Sequence, residues 1–125
     1  MNYEKVFGEL SEAVARGSYD KLSQAGLIHI FKLAFELAWK TLKDKLEYDG
    51  LDVDSPRETL KMAFRNGCIQ DGKLWIEALD NCDLLARTYD DTVSDEARDL
   101  IRGKYFFLLK DLHQFLEKES VLLSP

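Results

Sequence analysis

Leu27-Ile28-His29-Ile30-Phe31-Lys32-Leu33-Ala34-Phe35-Glu36-Leu37-Ala38-Trp39-Lys40-Thr41-Leu42-Lys43 is the stretch whose pattern decides the fold. At about 100° per residue, Ile28, Phe31, Phe35, Ala38, Trp39 and Leu42 fall on one helical face. Leu27, Ile30, Leu33, Ala34 and Leu37 carry that apolar face around most of the circumference. A narrow stripe stays polar: His29, Lys32, Glu36, Lys40 and Lys43. A helix this apolar has to be covered on nearly every side. One bundle layer covers one side, and a homodimer with this helix near its two-fold axis would cover the other. The alternative is a helix central to its own bundle.

Working outward, the 3.6-residue period and its stop signals give four further helices. The first runs from about Tyr3 to Arg16, with Val6, Leu10, Ala13 and Val14 in register, and stops at Gly17. The long helix itself spans about Leu22 to Tyr48 and ends before Gly50. A loop over Asp49 to Asp54 leads to Ser55-Pro56-Arg57-Glu58. There Ser55 suits the cap, Pro56 the first helical position and Glu58 the far side of a capping box. Asn66-Gly67 closes that third helix. The fourth runs from about Asp71 to Tyr89, with Trp75, Ala78, Leu79, Cys82, Leu85, Ala86 and Tyr89 on one face. The fifth is predicted to start at Ser94, with Asp95 and Glu96 favourably placed against the helix dipole. Its stripe is Ile101, Tyr105, Leu108, Leu109, Leu112, Phe115 and Leu116. Short connections favour antiparallel neighbours, so the reading is an all-α, up-and-down antiparallel bundle of four to five helices.

Composition agrees. A length of 125 residues fits a single domain over 1–125, and 46% hydrophobic with 32% charged residues excludes a disordered tail. Two prolines, one of them the last residue, are too few for an all-β chain. No apolar run approaches the roughly 20 residues of a membrane span. Seventeen basic residues against 23 acidic ones leave a net charge of −6, which disfavours non-specific binding to DNA. Met1-Asn2-Tyr3-Glu4-Lys5 is no signal peptide, so the chain reads as cytoplasmic and Cys68 and Cys82 as free thiols. Neither cysteine has metal-ligand spacing, and no pattern asks for a cofactor or a metal.

Three features invite a chemical reading. Lys32–Glu36 and Glu36–Lys40 are spaced i, i+4, as ion pairs on a solvated edge would be. The same residues with Lys43 could instead wall a charged groove that meets an anion. Arg57, Lys61 and Arg65 give the third helix one basic edge, which suits phosphates or plain solvent. Cys82 lies in an apolar stripe, where burial raises a thiol's pKa and quiets it. The acids Asp90-Asp91 and Asp95-Glu96 match no calcium loop, and helix-start acids account for the second pair.

Residues 31–43 resemble the long-helix signature of the nucleotidyltransferase substrate-binding protein family. Ser55-Pro56-Arg57-Glu58 with Ala63-Phe64-Arg65-Asn66-Gly67-Cys68-Ile69 resembles its next block, and Trp75 through Tyr89-Asp90 the block after that. The resemblance implies a small helical bundle of the HEPN superfamily that forms a homodimer. It implies a partner, a separate minimal nucleotidyltransferase that carries the nucleotide and metal chemistry while the helical chain presents substrate. Some relatives are instead ribonuclease toxins held in check by that nucleotidyltransferase.

The toxin motif is Arg-Asn, three residues, His, any residue, Tyr. Here the segment reads Cys82-Asp83-Leu84-Leu85-Ala86-Arg87-Thr88-Tyr89, and only the tyrosine is kept. Arg87 stands for the histidine and stays protonated, so it cannot serve as a general base. The expectation is a non-catalytic substrate-binding subunit, with a degenerate ribonuclease toxin as the alternative. Its cleft is expected to be lined by Glu36, Lys40, Lys43, Arg87 and Tyr89. Lys40, Lys43 and Arg87 would attract an anionic or phosphorylated substrate or nucleotide; Glu36 would hold the lysines; Tyr89 would stack or donate a hydrogen bond. Arg87 has a second reading, an i−4 pair with Asp83.

Overall fold

A computed structural model describes residues 2–85 and 91–123. The described chain is helical throughout its regular structure: α1 (Asn2–Val14), α2 (Lys21–Tyr48), α3 (Pro56–Arg65), α4 (Gly72–Leu85), α5 (Asp91–Leu100), a π-helical turn (Ile101–Tyr105) and α6 (Phe106–Leu123). With 28 residues α2 extends about 42 Å and forms the spine of the bundle. Every other helix packs on it, and α3 also packs on α4, α4 on α5, and α1 on α6. The all-α bundle read from the sequence is the architecture observed.

The core follows the predicted stripes. Leu27, Ile28, Phe31, Ala34, Phe35, Ala38, Leu42 and Leu46 of α2 are buried against Tyr3, Val6, Phe7 and Leu10 of α1 and Ile101, Tyr105, Leu108, Leu109 and Leu112 beyond. Trp75 of α4 is fully buried, its ring 5.6 Å from that of Phe35. The Tyr3 hydroxyl donates to the Leu109 carbonyl at 2.7 Å, tying α1 to α6, and burial pushes its phenol pKa well up. The remaining face of α2 is open: Leu22 is 83% exposed and Leu33 38%.

Helix ends follow local chemistry, with four departures from the sequence reading. First, α1 stops at Val14 rather than Arg16, because the Tyr19 hydroxyl donates to the Ala13 and Val14 carbonyls (2.6 and 3.3 Å) and takes over two orphan acceptors. Second, α2 starts at Lys21 in a reciprocal box in which Asp20 accepts from the Ser23 amide and Ser23 from the Asp20 amide. That contact holds the Asp20 carboxyl below its ordinary pKa. Third, Ser55 caps α3 by accepting from the Glu58 amide at 3.1 Å, but the reciprocal contact is not from Glu58. Thr59 instead donates its hydroxyl to the Ser55 carbonyl at 2.7 Å. Fourth, the fifth helix begins at Asp91, and Ser94 is a buried interior residue rather than a cap.

Asn66-Gly67 ends α3 as predicted. Gly67 takes φ +77°, its amide donates to Phe64, and the Cys68 amide donates back to Ala63 at 2.9 Å. Gly50 (φ +88°) closes α2 in the same way, with Leu51 donating to Leu46 at 2.8 Å.

Candidate functional site

Of the five residues expected to line a cleft, three fall within the described chain. Lys40 donates to Glu36 at 3.0 Å and Lys43 to Glu47 at 3.3 Å, all on α2. Glu36 and Lys40 are about half exposed, so the pair is a weak, exchangeable one. Lys43 therefore uses Glu47 rather than Glu36 as its partner. The expected Lys32–Glu36 pair is not formed among the described residues, since Glu36 turns to Lys40. Arg87 and Tyr89, with the alternative Asp83–Arg87 contact, lie outside the described side chains. Cys82, at the head of the same segment, is half-buried beside the core.

The π-helical turn packs against α4. Tyr105 donates its hydroxyl to Glu77 Oε2 at 2.8 Å and accepts from Asn81 Nδ2 at 2.7 Å, while its ring lies 5.9 Å from Phe31. Burial, then the Glu77 carboxylate, pushes the phenol pKa up to about 12. Such single-turn π insertions recur at functional sites. Here the turn places Arg102, Gly103 and Lys104 outward together, with the Arg102 guanidinium 5.1 Å above the Tyr19 ring.

A second polar junction joins α2 to α5. Gln24 Nε2 donates to Ser94 Oγ at 2.7 Å and Asp95 Oδ1 at 2.9 Å, and Gln24 Oε1 accepts from Arg98 Nη1 at 2.8 Å. Asp95 and Glu96 are thus not helix-start acids: Asp95 lies inside α5 and fastens it to α2.

Two further groupings escaped the sequence reading. Glu4 of α1 with His113 and Glu117 of α6 brings one metal-ligating atom each within 4.8 Å of one another. His113 also stacks on Phe7 (4.6 Å), and its Nε2 lies 3.5 Å from Glu117 Oε1. The other is a groove of about 710 Å³ between α3 and α4, floored by Leu60, Phe64 and Ile76 and edged by Lys61, Arg65 and Lys73. Glu36, Lys40 and Lys43 line neither this groove nor the smaller cavity of about 90 Å³ beside Cys68. Arg57, read from sequence as part of the same basic edge, is taken up by Asp80 of α4.

Comparison with known proteins settles the family. The sequence profile described as nucleotidyltransferase substrate binding protein like matches residues 1–118. The chain belongs to this family. Among solved structures, a crystal structure of a Thermus thermophilus protein is similar to this chain, with a TM-score of 0.81 and 25% identity over 91% of this chain and 98% of that one. No curated protein matches the chain. Among the described residues no helix of this nucleotidyltransferase substrate-binding family member is long and apolar enough to cross a membrane.

Proposed function

We propose that this chain is the substrate-binding subunit of a separately encoded minimal nucleotidyltransferase, acting as a cytoplasmic homodimer and leaving the chemistry to its partner. The observation that carries this reading is the family match over residues 1–118. The open face of α2 supports the dimer. Leu22, Gly26, His29 and Leu33 are all exposed there at four-three-four spacing, the seam along which two helices pack, and Gly26 allows close approach. Glu36 and Lys40 continue the same face toward the C-terminal half of α2. In the proposed dimer they border the interface with Lys43, and Arg87 and Tyr89 are proposed to belong to the same substrate cleft.

An anionic substrate would exchange with Glu36 and Glu47 for the two lysines, at little cost because both pairs are partly solvated. Cys82 and Arg87 in place of the toxin motif's arginine and histidine remove the groups that would cut RNA. The test is a Lys40→Ala/Lys43→Ala double variant alongside an RNA-cleavage assay of the unmodified chain. The reading predicts a folded dimer that binds partner or anionic substrate more weakly, and no cleavage. RNA cutting that depends on Arg87 or Tyr89 would replace it with the ribonuclease alternative.

A further inference from the structure

We propose that the groove between α3 and α4 binds a small nucleotide, its base against Phe64 and its phosphate among Lys61, Arg65 and Lys73. This site is separate from the α2 edge and does not depend on the partner assigned above.

Size and shape come first. The groove holds about 710 Å³, inside the usual range of roughly 300–1,000 Å³ for small-molecule sites. Its floor is apolar, from buried Leu60 and half-buried Ile76, and its one aromatic ring, Phe64, is 51% exposed. Phe64 is seated by Gly72: a Cβ on residue 72 would lie 2.9 Å from the ring Cγ and 3.1 Å from Cδ1. Only glycine lets the ring rest on that backbone while it lines the groove. A half-exposed phenylalanine held in this way is a platform for a flat aromatic ligand, since every nucleobase offers a π-face.

Charge then selects among flat ligands. The ion pairs of the described residues occupy Lys21, Lys40, Lys43, Lys45, Arg57 and Arg98. Lys61, Arg65 and Lys73 are not among them, and all three are exposed at the groove's edge. On a chain with a net charge of −6, three unmatched cations around one apolar groove are a local reversal of sign. That arrangement attracts an anion, and arginine can grip a phosphate through two N–H groups at once. Asp71, the single carboxylate on the groove, would repel a bare phosphate ion but accepts from a hydroxyl or amine. Sugar hydroxyls and base amines supply such donors. Aromatic face, anionic group and polar donors together describe a nucleotide rather than phosphate alone or an acidic peptide.

The experiment uses the full chain, ¹⁵N-labelled, titrated with AMP, adenosine, inorganic phosphate and a short single-stranded RNA in parallel. AMP is predicted to shift amide resonances within residues 60–76. Adenosine and phosphate should each bind about tenfold more weakly or worse, because each lacks one of the two contacts. A Lys61→Glu/Arg65→Glu double variant, altered only at exposed positions, should lose AMP binding about tenfold or more while keeping its native spectrum. Phe64→Ala should lose adenosine binding in particular. No shift with AMP, shifts confined to other helices, phosphate binding as tightly as AMP, or unchanged AMP affinity in the double variant would each overturn the assignment. RNA binding far more tightly than AMP would also overturn it, as the groove would then serve a polymer.

Discussion

Gln24 of α2 and Arg98 of α5 are joined by a 2.8 Å hydrogen bond, although 74 residues separate them in the chain. Gln24 also donates to Ser94 and Asp95, so its buried amide is met on both its nitrogen and its oxygen. Replacing it with alanine strands the buried Ser94 hydroxyl and leaves the Arg98 guanidinium one acceptor short. Gln24→Ala should cost about 2 kcal/mol, read as a lower urea midpoint with an unchanged slope. A loss below about 0.5 kcal/mol would mean that water replaces the amide freely.

Tyr105 makes stability depend on alkaline pH. Its folded pKa is raised to about 12 from an ordinary 10.0, so the folded state holds the proton after the unfolded state has released it. The contribution is complete below pH 10 and is lost as pH rises from 10 to 12. Tyr105→Phe should lower stability at neutral pH by about 1 kcal/mol. It should also flatten the fall between pH 10 and 12, leaving the part due to Tyr3. Chemical denaturation at a series of pH values measures both.

Gly67 is the stop of α3 and sits at φ +77° with open space around its missing Cβ. The strain on substitution is therefore a backbone effect and not a clash. Gly67→Ala should destabilise the fold by about 1–2 kcal/mol, visible as a lower melting temperature. Gly26→Ala, in the second turn of α2 with open space around it, should leave the monomer fold as stable or slightly more so. If α2 lies at the proposed dimer seam, the same change should weaken dimerisation in sedimentation.

Much of the bundle was legible because its signals are local. Ser55-Pro56 and Asn66-Gly67 bracket α3 within a residue of the observed ends, and the apolar register of α2 marks its buried face. What failed was decided by distant partners. Ser94 reads as a cap from its neighbours, yet Gln24, 70 residues away, draws it into the interior of a helix that begins at Asp91. The π-helical turn was invisible because Ile101 and Tyr105, four residues apart, suit an ordinary helical stripe equally well. Gly103 in its middle is the one weak hint.

The site divides along the same line. The Glu36–Lys40 pair is an i, i+4 contact and was readable, as the Lys43–Glu47 pair would have been. The α3–α4 groove was not readable, because Phe64 meets Gly72 only through the tertiary fold. Likewise Asp80 singles out Arg57 from Lys61 and Arg65, a distinction that spacing along α3 does not contain.

The Lys40→Ala/Lys43→Ala variant separates binding from folding. Both lysines make partly exposed pairs, so the double change should alter stability by less than about 1 kcal/mol. Sedimentation and denaturation should match the unmodified chain while substrate or partner affinity falls.

The most direct test of the central claim is a tagged pull-down from the native cell at natural abundance, with the eluted partners identified by mass and the complex sized by light scattering. The expected result is a small nucleotidyltransferase recovered in fixed ratio to a dimer of this chain. A chain recovered without any nucleotidyltransferase under those conditions would contradict it.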